Sequence, residues 1–163
     1  YIAAGFNLPG TNFPVMQEIL KNVYKKGKGE MEDESRIGSI YHTRGVVAGI
    51  ITADAIRVAQ ERYGKGKPIT GEQMRWGIEH LNISDARLKQ LGAVGLMNAL
   101  KLSCLDHEGG GAVKFLQWDG KKWNVISDWI ASDQSIVRPM IEQSAAQYAK
   151  EKTITPRDCS KES

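Results

Sequence analysis

Met16, Ile19, Leu20, Val23 and Tyr24 recur at three- and four-residue spacing, which places them on one face of a helix. That helix begins near Pro14, where a first helical position tolerates proline, and Lys25, Lys26 and Gly27 close it with cations and a C-cap candidate. Ahead of it, residues 1–6 (YIAAGF) read as a short buried strand, and residues 7–12 are dense in turn formers. Residues 27–36 (GKGEMEDESR) have nothing to bury and read as an exposed loop. The most apolar helix follows within residues 37–63: between Gly45 and Ile56 only Thr52 and Asp54 are polar, which predicts burial nearly all round.

Tyr63 and Gly64 end that helix, and residues 65–68 form a short basic connector, either a solvated linker or a phosphate-binding segment. Thr70 and Gln73 have the spacing of a capping box, with Met74, Ile78 and Leu81 as the stripe of the helix they open. Residues 84–91 predict one or two further helical turns. From Leu100 the period changes. Asp119-Gly120 is a strong hairpin signal, and it predicts strands over 113–118 and 123–129. Asp133 or Ser135 starts a last helix, with Ile136, Val137, Met140, Ile141, Ala145, Tyr148 and Ala149 on its buried side.

The order strand, helix, buried helix, helix, hairpin, helix makes the class α/β or α+β. A single strand ahead of the helices cannot build a parallel sheet, and a helix apolar on all sides needs neighbours on all sides. We therefore expect an excerpt of a longer protein, the more so because Tyr1 stands inside an apparent strand. Composition narrows the classes further: 41% apolar and 25% charged residues in 163 exclude disorder and collagen-like repeats. With 22 Lys+Arg against 19 Asp+Glu, the formal charge of +3 is too small to point to nucleic acid. No apolar run approaches the roughly 20 residues that span a bilayer, so a soluble chain is expected.

Three groups of residues carry candidate chemistry. Asp106-His107-Glu108, followed by three glycines, offers potential metal ligands or an acid–base set, but adjacent side chains diverge and metal motifs use wider spacing. The competing reading is a polar bend before a strand; a hydrolase using His107 with Asp106 or Glu108 is a third. No metal or catalytic signature is otherwise present, and no cofactor is expected. Tyr41, His42 and Arg44 stand at the entrance to the apolar helix, where outward N–H groups, a guanidinium and an aromatic wall suit a carboxylate ligand. The alternative there is a helix start with a surface Arg. Trp76, Trp118, Trp123 and Trp129 read as structural, Trp118 and Trp123 as a cross-strand pair, or as a stacking platform. Cys104 and Cys159, the only cysteines, lie in polar surroundings. In an exported protein a bridge between them would tether the tail by about 4 kcal/mol, and two cysteines alone do not decide export.

Taken in order, the runs 41–47 (YHTRGVV), 55–60 (AIRVAQ), 81–91, Ser103-Cys104 with 106–111 (DHEGGG), 118–123 (WDGKKW) and 155–159 (TPRDC) resemble the substrate-binding proteins of ABC importers, in the branch for branched-chain amino acids. The resemblance covers nearly the whole chain. It implies the C-terminal portion of a two-lobed type I periplasmic binding protein: α/β, with three-layer sandwich lobes, crossovers between them and a C-terminal β-hairpin. Residues 1–10 would end one lobe and cross over, 11–111 would be the helical part of the other lobe, and 112–163 the hairpin, return crossing and last helix.

The function so implied is that of an extracytoplasmic solute-binding component that takes an amino acid or small organic carboxylate in an interlobe cleft and delivers it to the permease. It is not an enzyme. A ligand sensor of the same fold, regulating a receptor or gene expression, is the alternative. Tyr41, His42 and Arg44, with Asn7 at the crossover, are the ligand-binding residues that the resemblance carries over. Val46 follows Gly45 where the family often has an aromatic residue, and Arg44 is an addition; both departures set an aromatic or other organic carboxylate beside an aliphatic amino acid as the expected ligand. The partners implied are that ligand, the ABC permease membrane subunits and the missing N-terminal half, with no nucleic acid. The resemblance also implies a Cys104–Cys159 disulfide and a periplasmic location.

Overall fold

A computed structural model describes residues 1–5 and 7–161 of the chain; the sixth residue, included above in the first strand, lies outside the described residues. Among the described residues, five α-helices supply most of the regular secondary structure. Helix α1 (Pro14–Asn22) starts on its proline and buries Met16; a short 3-10 turn follows it and ends at Gly27 in the left-handed region. Helix α2 (Ile40–Tyr63) is capped by Ser39, whose hydroxyl accepts the His42 N–H. Helix α3 (Gly71–Glu79) opens on the expected capping box, with both reciprocal bonds between Thr70 and Gln73 formed. Helix α4 (Asp85–Leu91) is capped by Ser84 and ends on Gly92, whose φ of 66° is the left-handed C-cap. Gly92 also lets the chain pass close to Pro14, so that its carbonyl accepts the Val15 N–H. Helix α5 (Gln134–Glu151) starts after Asp133, whose carboxylate accepts the Ser135 N–H.

The strands are few and antiparallel. β1 (Ile2–Ala4), β4 (Lys114–Trp118) and β5 (Trp123–Val125) form one sheet in the order β1-β4-β5; β2 (Asn82–Ile83) and β3 (Leu100–Lys101) form a second pair. Trp118 faces Trp123 across the hairpin in register, ring centroids 5.5 Å apart, as a cross-strand pair. The larger core lies among the helices and the β2–β3 pair, around Val47, Ala55, Leu81, Ile83, Leu96 and Leu100. A smaller one joins Ala4, Leu8 and Leu116 beneath the three-stranded sheet, and Phe13 packs against both.

Four expectations are corrected. Helix α2 is not buried all round: Thr43, Val47, Asp54, Ala55 and Ala59 are buried, whereas Gly45, Ala48, Gly49, Thr52 and Ala53 face solvent. Among the described residues the packing on its apolar run comes from α1, α3, α4 and the loop after α4, and it leaves these positions open. Helix α5 buries none of its residues; Ile136, Met140 and Tyr148 are 61%, 63% and 57% exposed, and the described chain places no element on that face. The first strand is an edge with only Ala4 buried, and Tyr1 is exposed. The second hairpin strand stops at Val125 rather than 129, because the Ile126 N–H and the Ser127 hydroxyl both turn to Phe115, two residues opposing one, before a single bridge re-forms between Val113 and Ile130.

Candidate functional site

The turn after β1 and the start of α2 meet because Asn7 fastens them. Its side-chain N–H group donates to the Ile40 carbonyl at 2.9 Å and to the Thr43 hydroxyl at 3.1 Å. One turn further on, the Gly10 N–H donates to the Gly38 carbonyl at 2.7 Å. Gly38, at φ 82°, is where any Cβ would meet Thr11 and the Gly10 backbone, so the close crossing requires glycine there. These ties hold the first turn of α2 over the end of β1.

Between them lies a cavity of about 430 Å³ lined by Ala3, Ala4, Gly5, Asn7, Ile40, Tyr41 and Arg44. Tyr41, 79% exposed, forms its open wall. Arg44 follows one turn along the helix, exposed, and among the described residues no carboxylate pairs with it. The first turn of α2 contains no acidic residue, so the partial positive charge of the helix start and the guanidinium add rather than cancel. The cavity can therefore hold an anion, with an aromatic surface beside it.

Of the four ligand-binding candidates, Asn7, Tyr41 and Arg44 come together at this cavity, and His42 turns away from it. The His42 Nε2 lies 2.9 Å from the Tyr24 hydroxyl, while its Nδ1 is buried without a partner among the described residues. Burial pushes the imidazole below its usual pKa, so it is neutral at pH 7. His42 thus fastens the turn after α1 to α2. Ala3, Ala4 and Gly5 also line the cavity, although no motif in the sequence marks this run of small residues.

A second cavity, of about 440 Å³, runs between α1, α2 and α4 past Val15, Ile19, Val46 and Ile50 and ends on Asp54, Arg57 and Arg87. The Asp54 side chain is 1% exposed and bound by Arg57 at 2.8 Å and Arg87 at 2.5 Å. Desolvation pushes its carboxyl up, but the hydrogen bonds and charges of both arginines outweigh it, and its pKa is lowered. The arginines use their donors on Asp54, Glu61 and Gln90, so this set ties α2 to α4.

Asp106, His107 and Glu108 are drawn apart. Asp106 Oδ1 accepts the N–H groups of Glu108 and Gly109 and faces Arg138 at 3.6 Å, whereas His107 Nε2 points to Glu79 at 3.2 Å. Among the described residues no group of three His, Cys, Asp or Glu side chains is arranged to hold a metal. Cys104 and Cys159 form a disulfide, Cα atoms 5.7 Å apart. Beside it sits a residue that sequence reasoning missed: Glu79, its side chain 3% exposed, bound by Arg157 at 2.5 Å. A glutamate in the last turn of a helix ordinarily reads as surface, and nothing in its neighbours along the chain distinguishes it.

No family model matches the chain, and no curated protein sequence does. Among solved structures, it is similar to a protein described as an ABC transporter permease from the Pseudomonas fluorescens group, with 46% identity and a TM-score of 0.90, over 96% of this chain and 37% of that one. It also shares the fold of a branched-chain amino acid ABC transporter protein from Thermus thermophilus solved with bound valine, at 21% identity and a TM-score of 0.56, over 82% of this chain and 34% of that one. The chain thus spans about a third of the length of each. Both are transporter components, not enzymes. No helix among the described residues is long and apolar enough to cross a membrane. The chain, mixed α/β in structure, is related to ABC transporter components.

Proposed function

We propose that this chain is part of the extracytoplasmic solute-binding component of an ABC importer, a C-terminal portion of a type I periplasmic binding protein. In this reading the ligand is an amino acid or small organic carboxylate held at the Asn7, Tyr41 and Arg44 cavity. The single observation that carries it is Arg44, a guanidinium without a counter-charge among the described residues, beside the start of a helix with no acid in its first turn. Tyr41 is the aromatic wall for the ligand's apolar part. The valine bound by the Thermus thermophilus protein supports a small carboxylate ligand, and the disulfide supports an oxidising compartment, the periplasm.

Residues 1–10 then close one lobe and lead into the other, 11–111 form that lobe's helical part, and 112–163 return. The exposed apolar side chains of Tyr1, Ile136 and Met140 are where the N-terminal half packs. Binding in the cleft closes the lobes by hinge motion, and the closed form docks on the permease subunits.

Calorimetric titration of the protein with amino acids and with aromatic and aliphatic carboxylates tests this. At least one carboxylate binds, and Arg44→Ala weakens it about tenfold or more, with Arg44→Lys in between. Binding that Arg44→Ala leaves unchanged, or no binding by any carboxylate, would overturn the assignment.

A further inference from the structure

The tail carrying Cys159 is fixed to the body of the protein by more than its disulfide. One nitrogen of Arg157, two residues before Cys159, serves both ends of the contact: Nη2 lies 2.5 Å from Glu79 Oε1 and 2.7 Å from Cys104 Sγ. Glu79 is the buried centre of the cluster, with His107 Nε2 at 3.2 Å and Arg75 at 3.9 Å on the same carboxylate. Two guanidinium groups therefore reach one buried carboxylate, and one of them, that of Arg157, also touches Cys104.

We infer that the Glu79–Arg157 ion pair is the template on which the Cys104–Cys159 bond is made, with Cys104 the attacking thiol. The cysteines are 55 residues apart in sequence, so an undirected encounter must close a long loop. Docking Arg157 on Glu79 closes that loop first and leaves Cys159 within reach of Cys104. The same guanidinium, with Nη2 2.7 Å from Cys104 Sγ, places positive charge where the attacking sulfur carries negative charge.

The chemistry requires a small-molecule disulfide as oxidant, for which oxidised glutathione serves. The Cys104 thiolate attacks one glutathione sulfur, the S–S bond breaks, and one glutathione thiolate leaves and is protonated. The Cys159 thiolate then attacks Cys104 Sγ in the mixed disulfide, forming the protein disulfide and expelling the second glutathione thiolate, which is protonated in turn. Two protein thiols lose two electrons and two protons, and one glutathione disulfide becomes two thiols. Glu79 and Arg157 are positioning residues in this scheme.

The test follows reoxidation of the reduced protein by oxidised glutathione, with samples quenched by N-ethylmaleimide and each cysteine's state read by peptide mass. The wild type carries its transient glutathione on Cys104 and closes quickly. Arg157→Ala slows closure about tenfold, by loss of effective concentration, and spreads glutathione over both cysteines. Arg157→Lys, which keeps the ion pair, recovers part of the rate, and Glu79→Gln moves closure in the same direction as Arg157→Ala. His107→Ala, which leaves the pair intact, closes like the wild type. Should Glu79→Gln fail to fold, the Arg157 variants decide, since that side chain is 36% exposed in the tail. Closure in Arg157→Ala within twofold of wild type, an Arg157→Lys no faster than Arg157→Ala, or glutathione first on Cys159 would each overturn the inference.

Discussion

Asn7 donates to the Thr43 hydroxyl across 36 positions of sequence, at 3.1 Å, and Thr43 is fully buried. That hydroxyl also lies 3.1 Å from the carbonyls of Ser39 and Ile40, so it accepts from Asn7 while its own proton stays within the helix. Tyr41 and Arg44, whose side chains line the proposed ligand cavity, therefore flank a residue whose backbone position is fixed from both sides.

Thr43→Val keeps the shape and removes the acceptor, and should cost about 1–2 kcal/mol, the loss of a buried hydrogen bond. Asn7→Ala removes the other partner. The double variant should cost less than the sum of the two singles by about 1 kcal/mol, because the two residues share one interaction. Urea unfolding of the four proteins measures this, and strictly additive losses would show that the bond contributes nothing.

Helix α3 crosses α2 at Gly77, where an added Cβ would meet the Ala55 carbonyl oxygen and the Ala59 methyl. Gly77→Ala gains about 1 kcal/mol of helix propensity, but it presses on backbone that cannot turn aside, at a cost of about 1–3 kcal/mol. The expected net result is a lower thermal midpoint with unchanged helix content by circular dichroism. A higher midpoint would mean that α3 shifts without penalty.

Asp119 holds the hairpin turn through its carboxylate. The Lys122 N–H, the Asn124 side-chain amide and the Lys121 N–H all donate to it, and together they hold its pKa down to about 2. A depressed carboxyl stabilises the turn fully above its unfolded pKa of about 3.9 and loses that effect as pH falls toward its folded value. A carboxyl carbon titration by NMR should place the midpoint near 2, and the Trp118–Trp123 pair should loosen over the same range in tryptophan fluorescence. An ordinary midpoint near 3.9 would show the three bonds to be unformed in solution.

Local signals in the chain were the readable ones. The Thr70–Gln73 capping box, Pro14 at a helix start, Asp133 before the last helix and the Asp119-Gly120 turn each rest on neighbours within a few residues, and each stands in the structure. Burial was read less well, because it depends on what lies opposite. The apolar run of α2 has partners on one side only, and the stripe of α5 has none among the described residues. The site shows the same division. Tyr41, His42 and Arg44 stand within one turn at the start of α2 and read from the sequence as one group, whereas Glu79 and Arg157 meet across 78 positions, which no local pattern encodes. His42 looks like Tyr41 and Arg44 along the sequence, but the helical turn sends it to Tyr24 instead.

Asp54 gives a pH dependence whose sign can be stated in advance. Burial alone would raise its pKa, but Arg57 and Arg87 lower it below the unfolded value. As pH falls, the unfolded chain takes up this proton first, so the contribution of Asp54 is complete above about pH 5 and fades as pH drops through 4 toward the folded value. Asp54→Asn cannot titrate, and it leaves two arginines able to reach solvent, with side chains 38% and 28% exposed. At pH 7 it should be less stable than wild type by roughly 3 kcal/mol, the scale of breaking a buried ion pair, and the gap should narrow steadily between pH 5 and 3. Urea midpoints measured for both proteins across that range decide the point. Parallel curves would show that Asp54 does not titrate with folding, and that the α2–α4 tie owes its strength to packing of the arginine stems alone.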